Sequence, residues 1–241
     1  MHELIQAFEF IGRNGQVPGA EHLPALSYYA LGTIKIALIA MAISLVIGLP
    51  LGLWLGHMHR GSFVAINLGN IGRALPSLAV LAIAVAVFGL GLSNVLLALC
   101  VLAVPPLVTN AYVGVDQVDR DVVDAARGMG MTGWQVLTRV ELPLAVGLIM
   151  AGVRTAALLV ISTTTLGAVV GDDDSLGSII SNETGYHGYG VLGAAICIAA
   201  LALLQDAALA WLQRRVTPAA GADQGVVWKG GENLPSAVGA S

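Results

Sequence analysis

A chain of 241 residues that is 56% hydrophobic and only 11% charged, against about 25% charged in an average soluble domain, has the composition of a membrane protein. Its formal net charge of −4 is too small to suggest a nucleic-acid partner, and its length leaves room for about five spans without a large soluble domain. P-loop, HExxH and nucleophile-elbow patterns are absent, and Cys100 and Cys197 lie in apolar runs that suit packing and not a disulfide or metal pair, so no catalytic, cofactor-binding or metal-binding residue is assigned.

Residues 1–26 mix apolar and charged positions with Gly15, Pro18 and Gly19. No basic region leads into an uninterrupted apolar core, so no cleaved signal peptide is expected. A short interfacial helix over Glu3–Ile11 and a poorly ordered terminus both fit this segment. The first span is expected from Ser27 to Leu55, with Pro50 bending its end. Within it Gly48, Gly52 and Gly56 repeat every four residues, a ridge of small residues on which another helix can pack closely. Lys35 suits snorkelling to the surface, with a substrate or ion role as the alternative.

His57, His59 and Arg60 close that span, and residues 61–74 read as a surface turn or a helical continuation. A second span follows from Leu75 to Leu90, turning at Gly89-Leu90-Gly91, and a third from Asn94 to Val113. Pro105-Pro106 removes two backbone donors from the third, where a kink is expected, either a hinge or a fixed bend.

From Asp119 to Pro143 charges, glycines and a tryptophan interrupt the apolar pattern. Asp119 and Asp121 suit a helix start, where carboxylates meet the positive end of the dipole. Ala125 and Ala126 supply a flat, small-residue surface. Gly128 and Gly130 break this helix, and Thr132 caps a second one near Gly133. Glu141-Leu142-Pro143 then leads into the next apolar run, with Pro143 tolerated near a first turn. The result is a compact knob at the membrane surface, of a kind that fits a groove on a soluble partner.

The fourth span covers Leu144 to Val170 and carries Arg154 and the hydroxyl run Ser162-Thr163-Thr164-Thr165. Four consecutive helical residues point in all directions. Some of these hydroxyls are expected to bond carbonyls one turn earlier, and one or two to line a substrate path. Arg154 needs a partner or water within the membrane, and Asp124 or Glu141 are the candidates. Asp172, Asp173 and Asp174 make a solvated acidic loop, or attract a cation, and Leu176–Ser181 suits a short re-entrant or surface helix. A fifth span runs from Tyr189 to Leu212, so that Lys35 and Arg154 are the clear charges within spans. Residues 216–241 read as a disordered tail.

Arg60, Arg73, Arg120, Arg127, Arg139, Arg214, Arg215 and Lys229 fall on one side of these spans, and Arg13 alone on the other. The excess of positive charge marks the cytoplasmic face. The N-terminus is therefore expected outside, the C-terminus and the 114–143 loop inside, and the 171–188 loop outside.

Asp124-Ala125-Ala126, three residues, Gly130, nine residues, Val140, one residue, then Leu142-Pro143 resembles the EAA loop of binding-protein-dependent ABC importer permeases. Asp124 stands for the family's Glu and Val140 for its Ile. Residues 27–215 resemble a complete five-span type I permease: an all-α integral membrane fold. The resemblance implies a pair of permease subunits, either two copies or a sister chain. It also implies cytoplasmic ATPases that use the ATP, and an extracytoplasmic binding protein that delivers substrate. On that likeness Asp124, Ala125, Ala126, Gly130, Leu142 and Pro143 form the ATPase-coupling element, and this chain hydrolyses nothing and binds no cofactor.

The stretches Arg73–Val80, Pro105–Asp119, Ala126–Ala145 and Ala151–Gly171 look like permeases for glycine betaine, choline, carnitine or proline betaine. Methionine permeases are the nearest rival, and an ion-coupled secondary transporter the more distant one. Relatives tend to show Gly-Gly-Leu-Gly after the fourth span, where this chain has Asp173-Asp174-Ser175-Leu176-Gly177. With aromatics at 5%, no cage for a quaternary ammonium is evident, which places specificity in the binding protein.

Overall fold

The computed structural model describes residues 2–17, 24–59, 61–171 and 174–217, and all regular structure among them is helical. Arg60, Asp172, Asp173 and the tail from 218 onward lie outside the described residues. Helix α1 spans His2–Gly12, α2 Leu26–His57, α3 Ser62–Ala74, α4 Ser77–Phe88 and α5 Leu92–Asp116. The interrupted region forms α6 (Arg120–Gly128) and α7 (Gly133–Val136). A π turn over Leu137–Glu141 then passes into α8 (Leu142–Thr164), which tightens into a 3₁₀ turn over Thr165–Val170. Helices α9 (Gly177–Ser181) and α10 (Glu183–Val216) complete the chain.

Helix α5 is the centre, with α2 on one side, α8 on another, and α3 and α4 against the rest of it. Its approach to α2 is set by the glycine ridge. A methyl added to Gly48, Gly52 or Gly56 would lie 2.9, 2.7 and 2.8 Å from the Cβ atoms of Leu107, Ala111 and Val115. Small residues let the two backbones meet where lipid offers no hydrophobic drive for association. Around this seam Ile36, Ala40, Leu81, Leu99, Leu102 and Val160 form the main core. Helix α5 runs as one helix through Pro105-Pro106, and Asn110 donates from its amide to the Pro106 carbonyl at 2.8 Å.

Four helical stretches are long and apolar enough to cross a membrane: Leu26–His57, Leu92–Asp116, Gly133–Val170 and Glu183–Val216. The expected span over Leu75–Leu90 differs. Helix α4 has 12 residues and so is about 18 Å long, short of the roughly 30 Å hydrocarbon core. It meets α3 at 94°, so a fifth span exists only if this bent pair counts as one. Pro76 and Gly89 bracket α4 and cut it short. The fourth span also differs, since it starts at Gly133, well before Pro143. Pro143 has no N–H to donate, and the ladder widens just ahead of it. The Leu142 N–H reaches the Leu137 carbonyl five residues back.

Candidate functional site

Each part of the 119–143 loop is built by local chemistry. Asp119 caps α6 by accepting from the Asp121 N–H at 2.9 Å, and Asp121 sits in the first turn and Arg127 in the last, in line with the helix dipole. The helix ends in a Schellman arrangement. The Met131 N–H reaches the Ala126 carbonyl at 3.2 Å, and the Gly130 N–H reaches the Arg127 carbonyl at 2.9 Å. That closure needs a left-handed residue, and Gly130 supplies it at φ +85°. Thr132 then opens α7 through a capping box, its N–H donating to Gln135 Oε1 at 2.8 Å.

The loop has a core of its own, made by Val118, Val123, Ala126 and Val136 with Met131 and Val140 beside them. Ala126 therefore faces inward, whereas Asp124 and Ala125 face out. Asp124 is 75% exposed and lies 4.0 Å from Arg127 on its own helix. Trp134 and Met129 are each 73% exposed, and Val122 is exposed as well, so the free surface of the knob mixes these apolar side chains with the exposed charges of Arg120, Asp121, Asp124 and Arg127. Leu142 is half buried under a cluster of Ala111, Val115, Ala145 and Ile149, and Pro143 is exposed.

The feet of the loop are held by two histidines at the end of α2. His57 Nδ1 lies 2.6 Å from Glu141 Oε2, and His59 Nδ1 lies 3.0 Å from Asp116 Oδ1. Glu141 is fully buried, and its Oε1 has no hydrogen-bond partner among the described residues. Neither pairing was legible from spacing, since 84 positions separate His57 from Glu141.

The structure overturns the expected partners of Arg154. Neither Asp124 nor Glu141 reaches it. Its Nε and Nη2 each donate to a carboxylate oxygen of Asp206 on α10 at 2.9 Å, and Nη1 donates to Gln213 Oε1 at 3.1 Å. Asp206 is thus a further charge within a span, beyond Lys35 and Arg154. It was legible as a lone acid in the run Leu203–Trp211. Lys35 points outward from α2.

The hydroxyl run divides. Ser162 is exposed, and Thr163 and Thr164 are buried, with Thr164 donating to the Val160 carbonyl at 2.8 Å. Thr165 is half buried, and its Oγ1 has no partner among the described residues. Of the four only Ser162 is open. An apolar groove of about 520 Å³ lies between α2, α8 and α10, walled by Ile34, Met41, Val153, Ala157, Leu201 and Leu204.

At the end of the bundle away from the loop, Phe10, Tyr28, Tyr29, Tyr186 and Tyr189 gather edge to face. Tyr186 is 1% exposed and Tyr29 nearly as enclosed, so these two rings fill space and line no open cage. Tyr28 Oη donates to Asp174 Oδ1 at 2.7 Å, and the Leu176 N–H donates to Thr33 Oγ1 at 2.9 Å, docking the 174–176 turn on α2. Among the described residues no three His, Cys, Asp or Glu side chains gather as a metal site.

The family described as binding-protein-dependent transport system inner membrane component matches residues 48–218. The chain belongs to this family. It is a multi-pass membrane permease component, and not an enzyme. The permease is similar to the glycine betaine/carnitine/choline transport system permease protein OpuCB of Bacillus subtilis (strain 168). They are 35% identical over 185 residues, which are 77% of this chain and 85% of that one. It is also similar to the carnitine transport permease protein OpuCD of Listeria monocytogenes, 34% identical over 220 residues, 90% of this chain and 95% of that one. Among solved structures, the permease fold matches a chain of the inward-facing MetNI methionine ABC transporter with a TM-score of 0.68. That match covers 80% of this chain and 96% of the other at 23% identity, a likeness of fold alone.

Proposed function

We propose that this chain is the permease subunit of an ATP-driven importer, and that it forms the path for a small osmoprotectant such as glycine betaine, choline, carnitine or proline betaine. The observation that carries the substrate class is the identity, over most of both chains, with permeases named for glycine betaine, carnitine and choline. Two further features agree with it. The rings of Tyr29 and Tyr186 are enclosed, which agrees with recognition of the quaternary ammonium by a binding protein outside the membrane, and the knob holds Trp134 out where a cytoplasmic ATPase can reach it.

In this reading residues 27–215 are the membrane domain, with 1–26 and 171–188 outside, 114–143 inside and the C-terminus cytoplasmic. The lysine and arginine count supports that orientation. Two permease subunits, identical or sister chains, enclose the path, and Ser162 is the hydroxyl of its run best placed to line it. ATP is used by the ATPases, whose closure moves Asp124, Ala125, Ala126, Gly130, Leu142 and Pro143 as one unit.

The test is uptake of labelled glycine betaine, choline and carnitine at high osmolarity in cells with and without this chain, with methionine measured alongside. Deletion is expected to abolish uptake of at least one quaternary amine and to leave methionine uptake unchanged. Loss of methionine uptake alone would overturn the substrate class. Uptake that persists after ATP depletion and stops when the ion gradient collapses would overturn the ATP-driven mechanism.

A further inference from the structure

Two histidines of one helix end, His57 and His59, face two carboxylates that stand at opposite feet of the same loop. Asp116 is the last residue of α5 before the loop, and Glu141 is the last residue of the π turn that closes it. They meet the histidines at 3.0 and 2.6 Å. We propose that His57 and His59 are positioning residues that clamp both feet of the loop to α2, and that the His57–Glu141 contact carries the loop's displacement into the membrane helices. The proposal rests on the coupling reading given above.

Three features make the contact a transmission point and more than an anchor. The loop moves as a unit, because α6 and α7 share the core of Val118, Val123, Ala126 and Val136. Helix α2 is likewise bound to α5 along Gly48, Gly52 and Gly56, so a push on its end is passed into a packed pair and is not absorbed by bending. Between these two rigid bodies lies the π turn over Leu137–Glu141, where the helical ladder has an altered register and a shift is easiest.

Burial points the same way. A fully buried carboxyl group with one oxygen on a histidine, and the other without a partner among the described residues, is costly to part from that histidine. Glu141 therefore follows His57, and a displaced loop takes the end of α2 with it. The ring of His57 also lies against the start of α7, with Nε2 3.3 Å from where a side chain on Gly133 would begin. His59 holds φ +50°, a left-handed state that is uncommon outside glycine and that aims its ring at Asp116.

The experiment reconstitutes the whole transporter in liposomes and reads three quantities: ATPase retained on the permease, ATP hydrolysed, and labelled glycine betaine taken up per ATP. His57→Ala is expected to retain the ATPase and its hydrolysis while uptake per ATP falls about tenfold, within the range of single-site coupling energies. His57→Gln keeps a side-chain donor and recovers part of the loss. The pair His57→Ala with Glu141→Ala removes the buried orphan carboxyl group and is expected to assemble as the parent does, yet to stay uncoupled. His59→Ala is expected to give a smaller fall than His57→Ala, because Asp116 is itself part of α5. Unchanged uptake per ATP in the double variant with ATPase bound overturns the clamp. Loss of membrane insertion in both His57→Ala and the double variant also overturns it, since the contact is then one for folding. Absence of any ATPase on the parent permease would instead overturn the coupling reading, and that outcome is read before any variant.

Discussion

Arg154 on α8 and Asp206 on α10, 52 positions apart in sequence, meet in a two-pronged pair with both N–O distances at 2.9 Å. Gln213 takes a third guanidinium N–H and donates in turn to the Gly147 carbonyl at 3.0 Å, so the network runs along both helices. An ion pair within spans is retained only where protein or water surrounds it, which sets this face of α8 and α10 away from lipid. Replacing Asp206 by Ala leaves the guanidinium without its counter-charge, and membrane-inserted yield and melting temperature are expected to fall. Asp206→Asn keeps one acceptor and is expected to fall less. The exchange Arg154→Asp with Asp206→Arg restores opposite charges and is expected to recover much of the loss. Equal melting temperatures across the three, measured in detergent or nanodiscs, would show that the pair does not hold the helices together.

The α2–α5 seam gives a steric prediction. A methyl on Gly52 would sit 2.7 Å from both Ala111 Cβ and the Val108 carbonyl oxygen, and backbone cannot rotate aside. Gly52→Ala is therefore expected to cost about 1–3 kcal/mol, the range of overpacking in a tight interior. Gly147→Ala is the control, because its nearest neighbour is the flexible Thr217 side chain at 3.6 Å. Denaturant or thermal unfolding of both variants checks this, and similar stabilities would show that the seam has slack.

Gly130 makes the opposite case, since nothing lies within 4 Å of its missing side chain and only its φ of +85° resists substitution. Gly130→Ala is expected to cost about 1–2 kcal/mol, the ordinary penalty for a left-handed L residue, and Gly130→Asn less. The strain falls on the α6 cap, so hydrogen exchange should quicken at Met131 and Gly130 and not in α5. Even exchange across the loop in Gly130→Ala would show that the Schellman closure is dispensable.

The parts legible in the sequence are those set by neighbours along the chain. The Asp119 cap, the Gly130 break, the Thr132 cap and the Gly48-Gly52-Gly56 repeat each follow from residues within a turn or two of one another. Hydropathy likewise finds α2, α5, α8 and α10. It reads the run from Leu75 to Leu90 as another span because it measures apolarity and not direction, and the bend between α3 and α4 leaves no apolar trace. The π turn escaped notice for a related reason, since a proline alone does not say whether a helix starts or widens there. Partners of charged groups were the least accessible. Arg154 and Glu141 find Asp206 and His57 only once distant helices pack, and no spacing along the chain encodes that distance.

The exposed face of the knob supplies the last prediction. Trp134 leaves 73% of its surface open, and its side chain is absent from the loop's own core of Val118, Val123, Ala126 and Val136. An aromatic held out on a rigid body has the character of an interface anchor, for which truncation commonly costs 2 kcal/mol or more. Trp134→Ala is thus expected to weaken capture of the ATPase by roughly thirtyfold while leaving the melting temperature of the permease in place. Trp54, 59% exposed on α2, provides the comparison. It lies on a helix apolar enough to face lipid, so Trp54→Ala should leave capture unaltered. Titration of labelled ATPase onto nanodisc-embedded permease measures both. If Trp134→Ala binds the ATPase as tightly as the parent, the surface around Trp134 is not where the ATPase docks.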